Sequence, residues 1–164
     1  MIASQTAKPK VLSRPIYMLA LLAADSGSPI QGRTKLEKLT FLIQKELVES
    51  EKLGISDDAY HFRPLHYGPF TEEVLDDVTT LQVLGLVEVT GEEDSTQVFR
   101  LTPKGSAAFD RLLAREGLPK RLLDGVRRIK TTYGRMPMDE LLSKVYNAYP
   151  AYTTKSVIRD RYLY

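Results

Sequence analysis

The sequence contains no cysteine among its 164 residues. Zinc sites with thiolate ligands, iron–sulfur clusters, cysteine nucleophiles and disulfide frameworks are therefore excluded. The chain also has no apolar run near the roughly 18 residues of a membrane span, and its first ten residues lack the apolar centre of a signal peptide. Together these absences lead us to expect a soluble, cytoplasmic protein that does not bind a membrane.

Residues that commonly perform catalysis are scarce. His61 and His66 are the only two histidines, and their spacing fits neither a helical i, i+4 pair nor a familiar set of metal ligands. The carboxylates of Glu72, Glu73, Asp76 and Asp77 could bind a cation. However, no glycine-rich phosphate loop or nucleophile elbow accompanies them. The sequence therefore predicts a protein that is not an enzyme and that has no metal site and no cofactor.

The stretch His61–Leu101 changes its hydrophobic period twice, which predicts a strand, a helix and a hairpin in succession. The apolar residues at helical spacing are Val74, Leu75, Val78, Leu81 and Leu84. Two short β-rich runs, Leu86–Val89 and Val98–Leu101, flank the polar segment Gly-Glu-Glu-Asp-Ser. A helix followed by a two-stranded wing is the order of a winged helix-turn-helix.

Further helices are predicted on both sides of this stretch. Ser13 and Pro15 supply an N-cap and a first-turn proline for the first helix. Thr34 and Glu37 form a T-x-x-E capping box for a second helix that runs to about residue 50. After the wing, three more helices are expected at residues 103–116, 119–133 and 137–149.

A corner precedes the central helix and is expected to aim it. Gly68 permits an unusual backbone angle and Pro69 fixes the next one. Thr71 is suited to cap the helix, and the corner is completed by Tyr67 and Phe70. We therefore interpret Tyr67-Gly68-Pro69-Phe70 as a structural element.

These patterns predict a single domain that is mainly α with a small β-hairpin. At 164 residues and 43% hydrophobic content, the chain is able to bury roughly two-thirds of its unfolded surface. We expect a flexible leader at residues 1–12, a winged helix-turn-helix core at 13–117, and a C-terminal helical extension at 118–164 packed on the core.

Three segments resemble a known group of proteins. They are Gly32–Leu39 (GRTKLEKL), Phe62–Phe70 (FRPLHYGPF) and Val145–Pro150 (VYNAYP). Across about residues 13–158, the chain resembles the prokaryotic and phage-associated group that includes the YwgA-like proteins and the SocA-like Panacea antitoxins. This resemblance implies a helical, winged-helix-like domain without known catalytic residues, which acts as a regulator or as an antitoxin that grips a protein toxin.

The net charge of +2 hides an asymmetry between the two parts of the chain. Residues 1–99 hold 9 basic and 15 acidic side chains, whereas residues 100–164 hold 14 basic and 6 acidic ones. Attraction for nucleic acid is therefore expected in the second part. The candidate nucleic-acid-binding residues are Arg111, Arg115, Lys120, Arg121, Arg127, Arg128, Lys130 and Arg135. Arginine binds phosphate oxygens in a bidentate manner, although solvated helix faces and attraction between the two parts would explain the same asymmetry.

The central helix shows the opposite charge on its predicted outer face. That face comprises Glu72, Glu73, Asp76, Asp77 and Thr80. Carboxylates repel a phosphate backbone, and four of them exceed what direct reading of cytosine amino groups would need. The alternatives are a solvated surface, a docking face for a basic protein partner and base readout.

Six of the nine tyrosines occur near or within the C-terminal extension. They are Tyr133, Tyr146, Tyr149, Tyr152, Tyr162 and Tyr164. Aromatic rings beside basic residues stack on nucleic-acid bases in some proteins. Packing in a core or an interface is the commoner role of tyrosine, and we favour it here.

The function expected first is that of a prokaryotic DNA-binding transcription regulator, with duplex DNA as the partner. The alternative is an antitoxin-like or adaptor protein that binds a basic protein partner through the acidic central helix. A homodimer is compatible with either function.

Overall fold

Helices and a small antiparallel sheet form the protein, whose computed structural model describes residues 14–50 and 59–162. The helices are α1 (Arg14–Gly27), α2 (Arg33–Leu42), α3 (Glu72–Val83), α4 (Pro103–Glu116), α5 (Lys120–Tyr133), α6 (Met138–Ala148) and α7 (Arg159–Tyr162). The strands are β1 (Ile30–Gln31), β2 (Arg63–Leu65), β3 (Gly68–Phe70), β4 (Val87–Thr90) and β5 (Val98–Leu101). The prediction of a mainly α protein with a small β-hairpin is confirmed.

Two shorter features complete the helical part. A π-helical segment, Ile43–Ser50, continues α2, and a 3-10 turn, Pro150–Thr153, follows α6. The predicted leader at residues 1–12, the cap at Ser13 and the last tyrosine, Tyr164, lie outside the described residues.

The two runs predicted as a wing form the hairpin β4–β5, in which Val87 lies opposite Leu101 and Val89 opposite Phe99. For brevity, this hairpin is called the wing, and the loop between its strands the wing loop. Strand β1 adds to the other edge of β5, so the three-stranded antiparallel sheet has the order β1-β5-β4. Strand β1 was not predicted, because two residues are too few to show a period of two. Its buried Ile30 pairs with Phe99 at the centre of the sheet.

The corner before α3 is a second hairpin. Strands β2 and β3 are antiparallel, with Leu65 opposite Gly68, so that His66 and Tyr67 form the turn between them. Thr71 caps α3 as expected, because its hydroxyl accepts a hydrogen bond from the Glu73 amide at 3.2 Å.

Helix α2 lies at the centre of the molecule. Seven consecutive residues, Leu36–Leu42, are buried, which requires neighbours on every side because consecutive helical residues are about 100° apart. Those neighbours include α1, β1, β3, α5 and α6. The C-terminal helices therefore build the same core as the residues before 118.

The capping box predicted for α2 is wrong. Thr34 lies inside the first turn, the N-cap is Gly32 with a positive φ of 94°, and no side chain caps the helix. The wing loop takes over this role, since the Arg33 amide donates to the Asp94 carbonyl at 2.9 Å. Glu37 is consequently not needed as a cap and instead points into the interior.

The C-terminal tyrosines pack against one another and against α2. Phe41 makes edge-to-face contacts with Phe62, Tyr149 and Tyr152, with ring centroids 4.9 to 5.1 Å apart. Tyr146 is buried, and its ring lies 5.4 Å from that of Tyr162, which is buried too. These contacts favour the core role over base stacking.

Replacement of Gly68 by alanine is expected to destabilise the fold by about 3 kcal/mol, through backbone strain together with overpacking. Gly68 has a φ of +91°, and a Cβ there would lie 2.8 Å from Cε1 of the Tyr146 ring. That ring is held by a 2.6 Å hydrogen bond to Ser156. Chemical denaturation measures the loss.

The matched control is Gly27→Ala. Gly27 also has a positive φ, +72°, but a Cβ added at this position would have no atom within 4 Å. This change should cost only about 1 kcal/mol. Equal losses at the two positions would show that the close approach of Tyr146 to Gly68 contributes nothing.

Candidate functional site

Part of the acidic face predicted on α3 is turned into the protein. Asp77 is only 5% exposed, and it accepts a 2.7 Å hydrogen bond from the Tyr60 hydroxyl. Arg14 of α1 forms ion pairs with both Asp77 and Glu73. The Glu73 carboxylate also accepts the His61 amide at 2.7 Å. The prediction that Glu73 and Asp77 face the solvent is therefore wrong for Asp77 and only partly right for Glu73.

Glu73 and Asp77 are turned towards the protein because of their positions along α3. Residues 73 and 77 are one turn apart and border the buried positions Val74 and Val78. A guanidinium from α1 neutralises them, so they join the core boundary. Substitutions that reverse both charges would consequently disrupt the fold as well as the surface.

The rest of the predicted partner face stays exposed. Glu72 pairs with Arg63, which lowers the pKa of the Glu72 carboxyl through a direct hydrogen bond. Asp76 and Thr80 are exposed, and the Thr80 hydroxyl donates only to the backbone carbonyl of Asp76 at 3.1 Å. These three residues are accessible to a partner.

The predicted basic residues also divide into two sets. Six of them are exposed on α4 and α5, namely Arg111, Arg115, Lys120, Arg121, Arg127 and Arg128. Arg135 is exposed as well, but its guanidinium forms an ion pair with Asp25 at 2.9 Å. Arg121 and Arg128, by contrast, have no acidic partner among the described residues.

The prediction that Lys130 belongs to this surface is wrong. Its side chain is 3% exposed, and its ammonium donates to the carbonyls of Leu22 at 3.1 Å and Ala24 at 2.7 Å. These carbonyls lie where the backbone of α1 leaves helical geometry, and a cation is favourable at a helix C-terminus. Burial lowers the pKa of Lys130 to about 8.

A cleft of about 710 Å³ lies between the first turns of α2, the β2–β3 corner and the wing loop. Its apolar and aromatic lining comes from Leu65, Tyr67, Phe70 and Leu75. Its charged lining comes from Arg33, Glu37, Lys38, Glu92, Glu93 and Asp94. Thus the corner and the wing tip, which are far apart in sequence, form one surface.

Glu37 is the unusual member of this cleft. It is 2% exposed, and neither carboxylate oxygen accepts a hydrogen bond within the described part of the chain. Burial raises the pKa of this carboxyl, an effect that the nearby Lys38 charge and Thr71 amide only partly offset. The Thr71 amide favours the ionised carboxylate, but neither Glu37 oxygen has a hydrogen-bond partner by distance and angle.

Neither basic neighbour of Glu37 donates to its carboxylate. The Lys38 ammonium is buried and donates to the Pro69 carbonyl at 3.0 Å. Arg33 Nη1 pairs with Asp94 at 2.9 Å, and Arg33 Nε is buried without an acceptor in the described residues. The cleft therefore contains a buried carboxylate whose acceptor positions are unfilled, which is a costly arrangement in a folded protein.

Glu37 was predicted as part of a cap, and its burial in the cleft was not predicted. A signal was present, because Glu37 precedes the apolar residue Phe41 by four residues. Residues at i and i+4 share one helix face. A carboxylate in line with core residues indicates an interior position.

Comparison of the chain with protein-family models and with curated proteins finds no match. Across residues 14–50 and 59–162, no three histidine, aspartate or glutamate side chains come together as a metal site would require. In the same residues, every helix is too short or too polar to traverse a lipid bilayer.

The buried Glu37 carboxyl should make stability depend on pH. Its pKa is raised from about 4.5 to about 7 in the folded protein. As pH rises through this window the unfolded chain gives up the proton more readily, so the folded protein loses stability. Glu37→Gln removes the titration. We expect the stability of the variant relative to the wild type to increase by at least about 1 kcal/mol between pH 5 and pH 8.

Denaturant unfolding at both pH values measures this difference, and constant offsets cancel in the comparison. Glu140→Gln, at an exposed position on α6, is the control and should leave the difference between pH 5 and pH 8 unchanged. A Glu37→Gln effect that is equal at pH 5 and pH 8 would contradict a buried, ionising carboxyl.

Proposed function

We propose that this chain is a non-enzymatic winged-helix protein that regulates another protein by binding it, as an antitoxin-like protein or an adaptor. The order α1-β1-α2-α3-β4-β5, with the sheet order β1-β5-β4, supports the winged-helix assignment. In this arrangement α3 follows α2 as the second helix of a helix-turn-helix, and β4–β5 is the wing. The β2–β3 hairpin is inserted before α3.

The charge of α3 and the wing is the observation that favours a protein partner. From Thr71 to Phe99 the chain has eight acidic residues and no lysine, arginine or histidine. These are the elements with which a winged helix would approach DNA, and affinity for DNA requires cations that neutralise phosphates. The same carboxylates attract a basic protein surface.

The cleft adds the features of a protein-binding surface. Tyr67 lines the cleft and is 54% exposed. Tyrosine is common at the centres of protein interfaces. Glu92 and Glu93 are exposed on the wing. The resemblance of the sequence to a group with regulators and antitoxins agrees with this proposal.

Affinity purification of the tagged full chain from its native cells, with and without nuclease, tests the proposed function. We expect a stoichiometric protein partner that survives nuclease. The double variant Glu92→Lys with Glu93→Lys should weaken that binding at least about tenfold through like-charge contact. Both side chains are exposed, so the fold should remain intact.

Glu140→Lys, at an exposed position on α6, is the matched control and should retain the partner. Recovery of nucleic acid alone, lost on nuclease treatment, would refute protein binding. Equal retention by both variants would show that the wing carboxylates are not part of the interface.

A second candidate function is duplex DNA binding through α4 and α5. The observation in its favour is the set of six exposed basic side chains on these two helices. Such a contact would be made to phosphates and would not depend on base sequence. DNA bound in this way would not contact α3 or the wing.

For this second function, Arg121→Ala with Arg128→Ala should weaken binding to a random duplex and reduce the salt slope of log affinity by about 2. Binding across a salt series measures the slope. Lys144→Ala with Lys155→Ala removes two cations elsewhere on the chain and should change it less. A wild-type chain that binds no duplex at low salt would exclude this function.

A further inference from the structure

We propose that the cleft between α2, the β2–β3 corner and the wing binds an arginine side chain of the protein partner, and that Glu37 accepts its guanidinium group. This inference rests on the proposed function, because it identifies the residue by which the acidic surface would recognise its partner.

Glu37 has unfilled hydrogen-bonding capacity. It lines the cleft, and both of its carboxylate oxygens are buried without a donor from the described residues. Buried side-chain oxygens in proteins almost always have a partner, and exceptions commonly have a functional reason. A donor supplied by another molecule would satisfy this carboxylate and relieve the cost of burying it.

The charges that line the cleft favour a cationic donor. Lys38 donates to the Pro69 carbonyl and Arg33 Nη1 to Asp94, whereas Arg33 Nε is buried without an acceptor in the described residues. The lining also includes Glu92 and Glu93, which are exposed and have no basic partner among the described residues. An incoming cation therefore meets several carboxylates, while Lys38 and Arg33 Nη1 already have acceptors.

The two free oxygens of Glu37 favour a guanidinium group over other cations. A carboxylate with two free oxygens matches the paired N–H donors of arginine, whereas an ammonium offers no such fork. Aromatic rings at the cleft suit a planar cation. Phe70 already has the Arg63 guanidinium 5.8 Å from its ring centroid, and Tyr67 is largely exposed.

The cleft is large enough for an arginine side chain. Its volume of about 710 Å³ lies within the range of ligand-binding pockets, about 300 to 1,000 Å³. It would hold the arginine together with neighbouring partner residues. Because Glu37 is almost fully covered, side chains around it must change rotamer on binding, which is common at interfaces.

The test is a titration of the ¹⁵N-labelled full chain with the peptide acetyl-Gly-Arg-Gly-amide, followed by amide chemical shifts. The comparison peptides contain citrulline, the neutral isostere of arginine, or lysine. We expect saturable shifts in residues 33–38, 65–70 and 92–95. Binding should be at least about tenfold weaker for citrulline, and several-fold weaker for lysine.

Glu37→Gln should abolish saturation by the arginine peptide or weaken it at least about tenfold. Its spectrum and thermal midpoint report whether the fold is retained. Tyr67→Ala, which truncates an exposed side chain, should weaken binding without affecting folding. Glu140→Gln, at an exposed position on α6 that does not line the cleft, should bind like the wild type.

Three results would overturn the inference. They are the absence of saturable shifts in the wild type, equal affinity for the arginine and citrulline peptides, and unchanged binding in a folded Glu37→Gln variant. If lysine binds as tightly as arginine, the guanidinium assignment is also wrong. Failure of this titration alongside a protein partner that depends on Glu92 and Glu93 would leave the proposed function standing.

Discussion

The burial of α2 on all sides is the constraint on which the rest of the structure depends. A helix that buries every position from Leu36 to Leu42 must accommodate its polar side chains without water. Lys38 does so by donating to the Pro69 carbonyl, and Thr40 by donating to the Leu36 carbonyl at 2.8 Å. Glu37 finds no donor among the described residues, and this difference identifies the candidate site.

Two lysines connect neighbouring helices by donating hydrogen bonds to backbone carbonyls. The Lys35 ammonium donates to the carbonyls of Gly134 and Met136 after α5, each at 3.0 Å. Lys130 makes the corresponding contacts to the end of α1. Each cation satisfies carbonyls that a helix terminus leaves without partners. Charges that appear in the sequence as a surface property thus stabilise contacts between α1, α2 and α5.

The candidate site depends on contacts between segments that are distant in the chain. Glu37, the corner residue Tyr67 and the wing residue Glu93 approach one another only because β1 pairs with β5 and the wing loop meets the start of α2. Local patterns predicted the corner and the wing separately. They could not show that both border one cleft, since no periodicity reports contacts between elements.

The sequence by itself determined the elements whose signals are local. Period and cap chemistry predicted α3, the wing, and the start of α4, where Thr102 accepts the Gly105 amide at 3.0 Å. Only the tertiary structure decided which charged residues remain exposed to a binding partner, because burial depends on neighbours contributed by other elements. Asp77 and Lys130 lie on helix faces that look polar in sequence, yet Arg14, Tyr60 and the end of α1 cover them.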